Sequence, residues 1–502
     1  MLDLREFIAM AERETPDHVV HIDRPVDPAA FEVTAILQQL EDAGRNPMAL
    51  FHRPLNLFGE VSRFPLLSNV FAERERCALA LGLPISQAKF PLSLEYGRRE
   101  KERIPPTVVA ESEAPVKEVV QLGDDADLRQ FPIVRHHHMD PTPYIDMTPI
   151  MRDPDSGAYN AAYLRMMYKG PRRLGLHMSP RHNWQITRKH EERGLPTRVA
   201  IVVGHHPAFY LGTLNVAPFG DDDYEVIGAV AGASLRLVPS ATWGDEFMIP
   251  ADADIVIEGE IPPNVREVEG PFGEFPGTYG PQRLRWVIDV TAINHRRDAI
   301  YQDVFVGHAD DWIQGGLPKE ARIYNRIKGV VPSVTAVHLP TSGVCRLHCN
   351  VSIDKKVDGE SKQAAFIVLG EVDMIKHVFV VDADVDVFDD RQVLWAVATR
   401  VQADQAVDII KNAKGNTLDP SQTDPIMTTK MIIDATKPVQ RPFSERILVP
   451  QEAKDRVPMA DYVRETGTPA PTAAEIAAAG AAARVPAAGS PAAVADGGPA
   501  EG

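Results

Sequence analysis

The sequence predicts a mixed α/β fold of the α+β kind, divided into several domains, and three observations lead to that class. Helical and extended patterns are mixed over residues 1–110, short extended runs dominate residues 111–305, and strands alternate with helices over residues 333–467. A chain of 502 residues suggests roughly two to four domains. With 44% hydrophobic and 25% charged residues, the composition is that of a globular protein with a sizeable core.

Residues 1–110 are predicted to form an N-terminal α/β region. Apolar residues recur at helical spacing over residues 4–11 and 31–40. The runs HVVHI and NPMALFHRP are typical of strands, and CALALGLP is typical of a helix that ends at a glycine and a proline. The charged run RREKERIPP then marks the boundary near residue 110.

Residues 111–305 contain many strands and predict a barrel or a sandwich. One helix is expected over residues 183–194. The predicted strands are KEVVQL, YNAAYLRMMYK, RVAIVVG, SLRLVP, ADIVIEGEI and RLRWVIDVTAI.

A linker over residues 306–332, helical from residue 317 to 330, leads to a C-terminal α/β domain over residues 333–467. Its strands SVTAVHL, HCNVSID and HVFVVDADVD alternate with helices at 361–369 and 392–400, which favours partly parallel pairing. Residues 468–502 are mostly Ala, Pro and Gly, too poor in large apolar side chains to offset the entropy of ordering, so disorder is predicted there.

Charge and cysteine usage exclude several classes of protein. A net charge of −17 argues against a nucleic-acid binder, which needs a basic face. The three cysteines, Cys77, Cys345 and Cys349, are too few for a disulfide framework and suit a reducing cytoplasm. The first residues lack a secretory signal, and no run of 18 apolar residues is present, so no membrane span is expected.

The stretch REVEGPFGEFPGTYG, residues 266–280, is the strongest candidate for chemistry. In a regular strand the odd offset between Glu269 and Glu274 puts them on opposite faces. A bend or bulge over residues 270–273 would turn both toward one site, where burial would suit them to acid/base work. The alternative is a solvated Gly/Pro loop with surface carboxylates, Glu267 among them.

Two other segments offer charged groups. Asn160 and Arg165 lie in an apolar predicted strand, where an arginine needs a carboxylate partner such as Glu269 or Glu274, or else reaches solvent from an edge. Arg181 and His182 begin a predicted helix, which makes an anion site or a simple cap.

Glu225 follows three consecutive aspartates and leads into an apolar segment. Such an acidic run is usually a solvated turn, and the alternative is that one of its carboxylates binds a divalent cation. The tract His136–His138 is set aside, because consecutive residues of an extended chain point to alternate faces. A zinc site at Cys345, His348 and Cys349 is not expected, because no second ligand pair lies nearby.

Taken together, the segments YNAAYLRMMYKGPRRLGLHMSPRH, DYEVIGAVAGASLRLV, EGPFGEFPGTYG and HVFVVDADVDVFDDRQVLWAVATR resemble the UbiD family of reversible decarboxylases, which use prenylated flavin mononucleotide. The resemblance runs from residue 2 to about residue 446. It implies an N-terminal α/β region, a split β-barrel that binds the flavin, a linker helix and a C-terminal α/β dimerisation domain.

The resemblance implies a catalytic group of Arg165, Glu269 and Glu274. Glu274 would protonate the carbon after CO2 departs, and Arg165 would hold the substrate carboxylate and pair with Glu269. The prenylated FMN would bond covalently to the substrate and accept the electrons of the breaking C–C bond. Its phosphate would be bound through a divalent ion, typically Mn²⁺, with K⁺ nearby. The matching metal ligands are Asn160, His182 and Glu225, and the further cofactor contacts are Ala162, Tyr163, Leu164, Arg181, Pro218 and Lys376.

The resemblance further implies a homodimer or higher homo-oligomer, supplied with cofactor by a flavin prenyltransferase. The substrate would be a small unsaturated or aromatic acid, and a heteroaromatic one such as indole-3-carboxylate or furan-dicarboxylate is predicted. A hydroxybenzoate is the near alternative, and a glycoside-type hydrolase or a catalytically silent flavin- or metal-binding partner are alternatives of other classes. The candidate specificity residues are His308, Asp310, Trp312 and Lys319.

Overall fold

The computed structural model describes residues 3–424 and 426–463, and the predicted disordered tail over residues 468–502 lies outside the described residues. The chain divides into two compact units, Met1–Arg441 and Pro442–Gly502. Within the described residues no helix is long and apolar enough to cross a bilayer.

The N-terminal region mixes helices and strands, as predicted. Its first helix begins where the Asp3 side chain accepts hydrogen bonds from the backbone N–H groups of Arg5 and Glu6, which is a standard N-cap. The predicted stripe at residues 4, 7, 8 and 11 is its buried face. The helices are α1 Leu4–Glu14, α2 Glu32–Asp42, α3 Arg74–Ala80 and α4 Phe90–Arg99. The strands are β1 Val19–Ile22, β2 Met48–Phe51 and β3 Leu66–Ser68.

The second region is built from strands with three helices. The strands are β4 Thr107–Val108, β5 Val119–Leu122, β6 Tyr144–Arg152, β7 Tyr159–Ala161, β8 Leu164–Gly170, β9 Arg173–Leu176, β10 Thr197–Val203, β11 Arg236–Ser240, β12 Gly244–Pro250, β13 Ile255–Ile261, β14 Glu267–Glu269, β15 Phe272–Glu274, β16 Thr278–Gly280, β17 Arg283–His295 and β18 Tyr301–Gln302. The helices are α5 His182–Glu192, α6 Pro207–Gly212 and α7 Asp223–Ala231.

Six of these strands close into an antiparallel barrel, which decides between the barrel and the sandwich. Their order is β10-β13-β17-β9-β8-β6, and β10 also pairs with β6 to close the ring. The inward-facing side chains of such a small barrel fill its interior. The strand β18 leaves the barrel and pairs with β3, so it joins the second region to the first.

Two details of the barrel differ from the sequence prediction. The run YNAAYLRMMYK is not one strand, because Ala162 and Tyr163 interrupt it between β7 and β8, which both pair with β6. The strand β6 itself was not predicted. It is buried on both faces over residues 144–151, so its sequence, YIDMTPIMR, lacks the alternation that identifies a half-exposed strand.

A long helix, α8 Ala309–Lys328, connects the barrel to the C-terminal domain. The prediction of a helical start at residue 317 was wrong by eight residues, because Pro318 lies inside the helix and not at its beginning. The C-terminal sheet has the order β19-β20-β21-β23-β22, with β20, β21 and β23 parallel. Its elements are β19 Val334–His338, β20 His348–Ile353, α9 Glu360–Glu371, β21 His377–Asp382, α10 Asp390–Arg400, α11 Ala403–Ala406, β22 Val407–Lys414 and β23 Met427–Ala435. In the second unit, the described part contains α12 Gln451–Asp455 and α13 Met459–Tyr462.

Gly97 should be essential to the packing of α4 on α8. A Cβ at this position would overlap the Cβ of Ala321 on α8, and both residues are buried. We expect Gly97→Ala to lower the free energy of unfolding by about 1–3 kcal/mol, the usual cost of overpacking a core. Gly370→Ala is the matched control, because this helical glycine has no atom within 4 Å of a Cβ, and the extra methyl should stabilise α9 slightly. Urea unfolding of both variants tests the contrast, and equal effects would contradict it.

Candidate active site

Arg165 lies between two glutamates from the stretch that the sequence singled out. Its Nε donates to Glu269 Oε1 at 2.8 Å and its Nη2 donates to Glu269 Oε2 at 3.0 Å, so this pair is bidentate. Its Nη1 donates to Glu274 Oε1. The guanidinium also lies over the ring of Phe272, 4.9 Å from its centroid. One cation therefore contacts both acids of the stretch.

The two glutamates reach Arg165 because the chain bends between them. Glu269 ends β14, which pairs with β17, whereas Glu274 ends β15, which pairs with β16 in a separate hairpin. Gly270 between them has φ of +87°, a backbone conformation that favours glycine. The bend predicted over residues 270–273 is therefore present, and it cancels the odd offset in the sequence.

The two carboxylates have different environments. Glu269 is fully buried. Burial alone would raise its pKa, but the neighbouring His177 and the hydrogen bonds and positive charge of Arg165 lower the pKa of Glu269 to about 2. Glu274 keeps a side chain that is 15% exposed, and it lines a large cleft. The low pKa keeps Glu269 ionised at neutral pH, and Glu274 is the one of the two carboxyl groups that lines the cleft.

His177 completes this group and was not predicted. Its Nδ1 lies 3.3 Å from Arg165 Nη2 and accepts a hydrogen bond of 3.1 Å from Arg285 Nε. Because Nδ1 accepts from two guanidinium groups, the ring is neutral with its proton on Nε2. Burial, opposed by Glu269 and aided by Arg165, lowers the pKa of His177. The segment RLGLHMSPRH contains no signal for this role, because two of the partners of His177, Glu269 and Arg285, lie more than 90 positions away.

Asn160 and His182, two of the three predicted metal ligands, lie side by side. Asn160 Oδ1 lies 3.0 Å from His182 Nδ1, and Asn160 Nδ2 donates to Asn183 Oδ1 at 2.7 Å. Two ligands at about 2.1 Å from one ion are separated by about 3 Å when the angle between them is near 90°. Burial and the charge of Arg181 lower the pKa of His182, which keeps the ring neutral and able to ligate. The pair fits a divalent ion.

Glu225 lies in the first turn of α7, which is held against β7. The carboxylates of Asp222 and Asp223 accept hydrogen bonds from the N–H groups of Tyr159 at 3.2 Å and Ala161 at 2.8 Å, on either side of Asn160. The acidic run is therefore not a solvated turn. Asp223 is buried, and burial raises its pKa to about 7. Within the described residues the Glu225 carboxylate makes no hydrogen bond, so it is free to serve as a third ligand.

The predicted cofactor contacts fall into two groups. Arg181 lines a cleft of about 1260 Å³ together with Arg165, His177, Glu274 and Lys319. Ala162 and Tyr163 form the break between β7 and β8, and Leu164 is the first residue of β8. The hydroxyl of Tyr163 is buried without a partner among the described residues. Arg181 is therefore a basic group of the cleft, whereas Ala162, Tyr163 and Leu164 are not part of its lining.

Lys376 and Pro218 are placed less favourably. The ammonium of Lys376 pairs with Asp419 Oδ2 at 2.8 Å and contacts Ser421, and it lines a separate cavity of about 270 Å³. Lys376 does not line the cleft, which Lys414 and Lys430 line instead. Pro218 is exposed, and its carbonyl accepts a hydrogen bond from Asp221 N.

Of the four candidate specificity residues, only Lys319 lines the cleft. Burial and the charges of Arg346 and Arg181 lower the pKa of Lys319 well below its usual range. Asp310 is fully buried, and its two oxygens accept the N–H groups of Phe71 and Phe305, which is a structural task. His308 pairs with Glu41 at 2.5 Å.

Trp312 was also a specificity candidate, and its indole N–H donates to the carbonyl of Phe275 at 2.7 Å. The predicted helix began only at residue 317, after His308, Asp310 and Trp312, and the sequence could not show the partners of these side chains.

The three histidines of the tract His136–His138 do not converge on one site, and they differ in burial: His136 is buried and His138 is exposed. His136 is fully buried, 3.0 Å from Asp303 and 3.3 Å from Asp146. Burial alone would lower the pKa of His136, but the negative charges of these acids raise it to about 9. Asp146 is directly opposite Arg165 in the pairing of β6 with β8. Within the described residues, no three His, Cys, Asp or Glu side chains converge as a metal site, and the pair Asn160–His182 includes an amide.

Arg165 pairs with the buried Glu269 and contacts Glu274 beside a cleft with basic walls, an arrangement that can bind an anionic group. Comparison with known proteins specifies the class. Three UbiD domains match: the 3-octaprenyl-4-hydroxybenzoate carboxy-lyase N-terminal domain over residues 10–88, the Rift-related domain over 107–309 and the C-terminal domain over 313–435. The chain belongs to the UbiD family of carboxy-lyases.

Individual relatives agree with this assignment. Anhydromevalonate phosphate decarboxylase of Methanothermobacter thermautotrophicus is 36% identical over 383 residues, which cover 75% of this chain and 86% of the relative. Phenolic acid decarboxylase of Sedimentibacter hydroxybenzoicus is 32% identical over 453 residues, covering 87% and 92%. The UbiD-class enzyme HmfF from Pelotomaculum thermopropionicum, solved in complex with FMN, has a TM-score of 0.84 at 37% identity and covers 92% of this chain and 100% of its own. The 3,4-dihydroxybenzoic acid decarboxylase of Enterobacter cloacae has a TM-score of 0.81 at 29% identity, covering 90% and 99%.

Proposed function

We propose that this carboxy-lyase catalyses the reversible, non-oxidative decarboxylation of a heteroaromatic carboxylic acid, such as indole-3-carboxylate or a furan-dicarboxylate, with prenylated FMN as cofactor. The observation that supports it most directly is the contact of Arg165 with both Glu269 and Glu274 at the edge of the cleft. Bound prenylated FMN would supply an acceptor for the electron pair of the breaking C–C bond.

Arg165 is the group that binds the substrate carboxylate. Its bidentate pair with Glu269 fixes the plane of the guanidinium, so its Nη1 edge is presented toward Glu274 and the cleft. Because Glu269 stays ionised, it holds Arg165 in place without offering a proton. The orientation of the carboxylate is thereby set before the bond breaks, which is the advantage of a preorganised site.

Glu274 is the proton donor in this proposal. After CO2 leaves, the carbon that carried it needs a proton, and Glu274 is the carboxyl group that both contacts Arg165 and reaches the cleft. In the carboxylation direction the same carboxylate would take the proton from the carbon.

Asn160, His182 and Glu225 would hold a divalent ion that neutralises the cofactor phosphate. An amide oxygen, a neutral imidazole and a carboxylate suit Mn²⁺ on grounds of ligand softness, and K⁺ would lie nearby. Arg181, the neighbour of His182 in the chain, adds a positive charge to the lining of the cleft. We expect Glu225→Ala to lower metal and flavin occupancy together, measured by elemental analysis and by absorbance of the purified protein. Asp221→Ala is the matched control, because this neighbouring acid pairs with Arg103 away from Asn160. Unchanged metal content in Glu225→Ala would contradict the ligand role.

A hydroxybenzoate is the second candidate substrate, and the similarity to phenolic acid and 3,4-dihydroxybenzoic acid decarboxylases favours it. We also propose a homo-oligomer, a flavin prenyltransferase as the supplier of the cofactor, and a reducing, cytoplasmic setting, since all three cysteines are buried free thiols.

The deciding experiment is to produce the chain together with a flavin prenyltransferase and to measure CO2 release from a panel of acids. The panel should contain indole-3-carboxylate, furan-dicarboxylate, 3,4-dihydroxybenzoate and anhydromevalonate phosphate. We expect a modified-flavin absorbance and turnover of an aromatic member. A flavin-loaded protein inactive on every acid would support the silent-partner alternative, and a colourless protein that hydrolyses glycosides would overturn the proposal.

A further inference from the structure

The backbone on each side of Glu274 is tied to a side chain from elsewhere in the chain. The N–H of Gly273, the residue before it, donates to Asp140 Oδ1 at 3.1 Å. The carbonyl of Phe275, the residue after it, accepts the indole N–H of Trp312 at 2.7 Å. Asp140 precedes β6 and Trp312 lies in the first turn of α8, so the two ties come from different elements.

The hairpin that bears Glu274 needs such support. It consists of the three-residue strands β15 and β16, which pair only with each other in the part of the chain that the structure describes. Isolated two-stranded hairpins are marginally stable at best. A displacement of Glu274 by about 1 Å would be enough to reduce proton transfer by about 100-fold.

Asp140 is a buried carboxylate whose two oxygens both accept backbone hydrogen bonds. It is fully buried, and its second oxygen accepts the N–H of His137 at 2.8 Å. A Cβ on Gly273 would overlap the His137 ring, so the two segments touch closely. The same loop holds the other strand of the hairpin, because Met139 N donates to the Tyr279 hydroxyl at 3.2 Å and His138 lies 3.1 Å from it.

Trp312 is fixed in a similar way on the opposite side. Its carbonyl accepts a hydrogen bond of 3.0 Å from Arg346, and the guanidinium of Arg346 lies over the Phe275 ring, 5.4 Å from its centroid. Trp312 and Phe275 are therefore joined twice, once through the indole and once through Arg346. The tryptophan does not line the cleft that contains Glu274.

We propose that Asp140 and Trp312 are positioning residues that clamp the backbone on either side of Glu274 and keep its carboxyl group between Arg165 and the cleft. The proposal rests on the proposed function, in which Glu274 is the proton donor. It replaces the sequence-based interpretation of Trp312 as a specificity residue. It also assigns a role to the loop of the histidine tract, which holds the hairpin that bears Glu274.

The kinetic test uses Asp140→Asn and Trp312→Phe in the flavin-loaded enzyme. An asparagine offers one acceptor oxygen where Asp140 uses two, so one of the two N–H groups loses its partner. A phenylalanine keeps most of the ring but removes the indole donor. We expect kcat to fall about 10- to 100-fold in each variant, with KM within about threefold of the parent enzyme and flavin content unchanged. Trp243→Phe is the matched control, because it removes an indole hydrogen bond to Glu260, distant in the fold from the cleft lining, and its kcat should stay at the parent value.

A second readout does not depend on activity. Hydrogen exchange followed by mass spectrometry should show faster exchange in peptides spanning residues 270–280 of both clamp variants, and unchanged exchange in the barrel strands. A raised KM with normal kcat in Trp312→Phe would restore the specificity role and overturn the clamp, as would unchanged exchange at the hairpin or faster exchange throughout the protein. If the parent enzyme decarboxylates no acid, the proposed function fails, whereas the exchange experiment still decides whether the clamp exists.

Discussion

Glu274→Gln should abolish decarboxylation and leave the flavin bound. Glutamine has the shape of glutamate and its amide oxygen can still accept from Arg165, so the site keeps its geometry. It cannot donate a carboxyl proton, and removal of a general acid costs about 10²- to 10⁴-fold in rate. The measurements are CO2 release under saturating substrate and the modified-flavin absorbance of the purified variant.

Glu267→Gln is the matched control for this experiment. Glu267 belongs to the same acidic stretch, but it pairs with Arg173 and Lys169 at the surface of the barrel and does not line the cleft. Its substitution should leave the rate near that of the parent enzyme, since exposed pairs contribute little. Loss of flavin from Glu274→Gln would show that Glu274 is structural, and an undiminished rate would assign the proton to another group.

The site could be predicted to the extent that its chemistry is local in sequence. The stretch 266–280 contains its own two acids, and the need of a buried arginine for a carboxylate connected it to Arg165. Gly270, where the chain bends, could be identified in the sequence. The sequence predicts that only a bend at this point turns Glu269 and Glu274 toward one site, and the structure contains that bend.

The parts that escaped prediction depend on contacts between distant segments. The acidic run before α7 has the sequence of a solvated turn. Nothing in it indicates that the carboxylates of Asp222 and Asp223 accept hydrogen bonds from backbone N–H groups of β7. His177 and Asp140 are single polar residues in loops, and only the closed barrel brings them to the glutamates. The ammonium of Lys376 pairs with Asp419, and no feature of the sequence indicates this ion pair.

Arg165→Met should remove activity and also destabilise the fold. The substrate carboxylate loses its guanidinium, and Glu269, which is fully buried, loses its bidentate partner. Breaking a buried ion pair by removing one member costs about 3–5 kcal/mol, because the remaining charge is left uncompensated. Arg173→Met is the control, because its pairs with Glu267 and Asp289 are half-exposed, and it should cost no more than about 1 kcal/mol.

The pH dependence of this loss follows from the sign of the pKa shift of Glu269. In the parent enzyme the folded pKa lies near 2, below the usual value, so the carboxylate contributes stability that is present above the unfolded pKa of about 4.3 and is lost as pH falls toward 2. In Arg165→Met, burial raises the pKa of Glu269 and the charged form becomes the costly one. The difference in unfolding free energy between parent and variant should therefore be largest at about pH 7 and shrink at about pH 4, as urea unfolding at the two pH values would measure. A difference that is independent of pH would mean that the methionine acts by changing the packing against Phe272, and that the Arg165–Glu269 pair does not hold the site together.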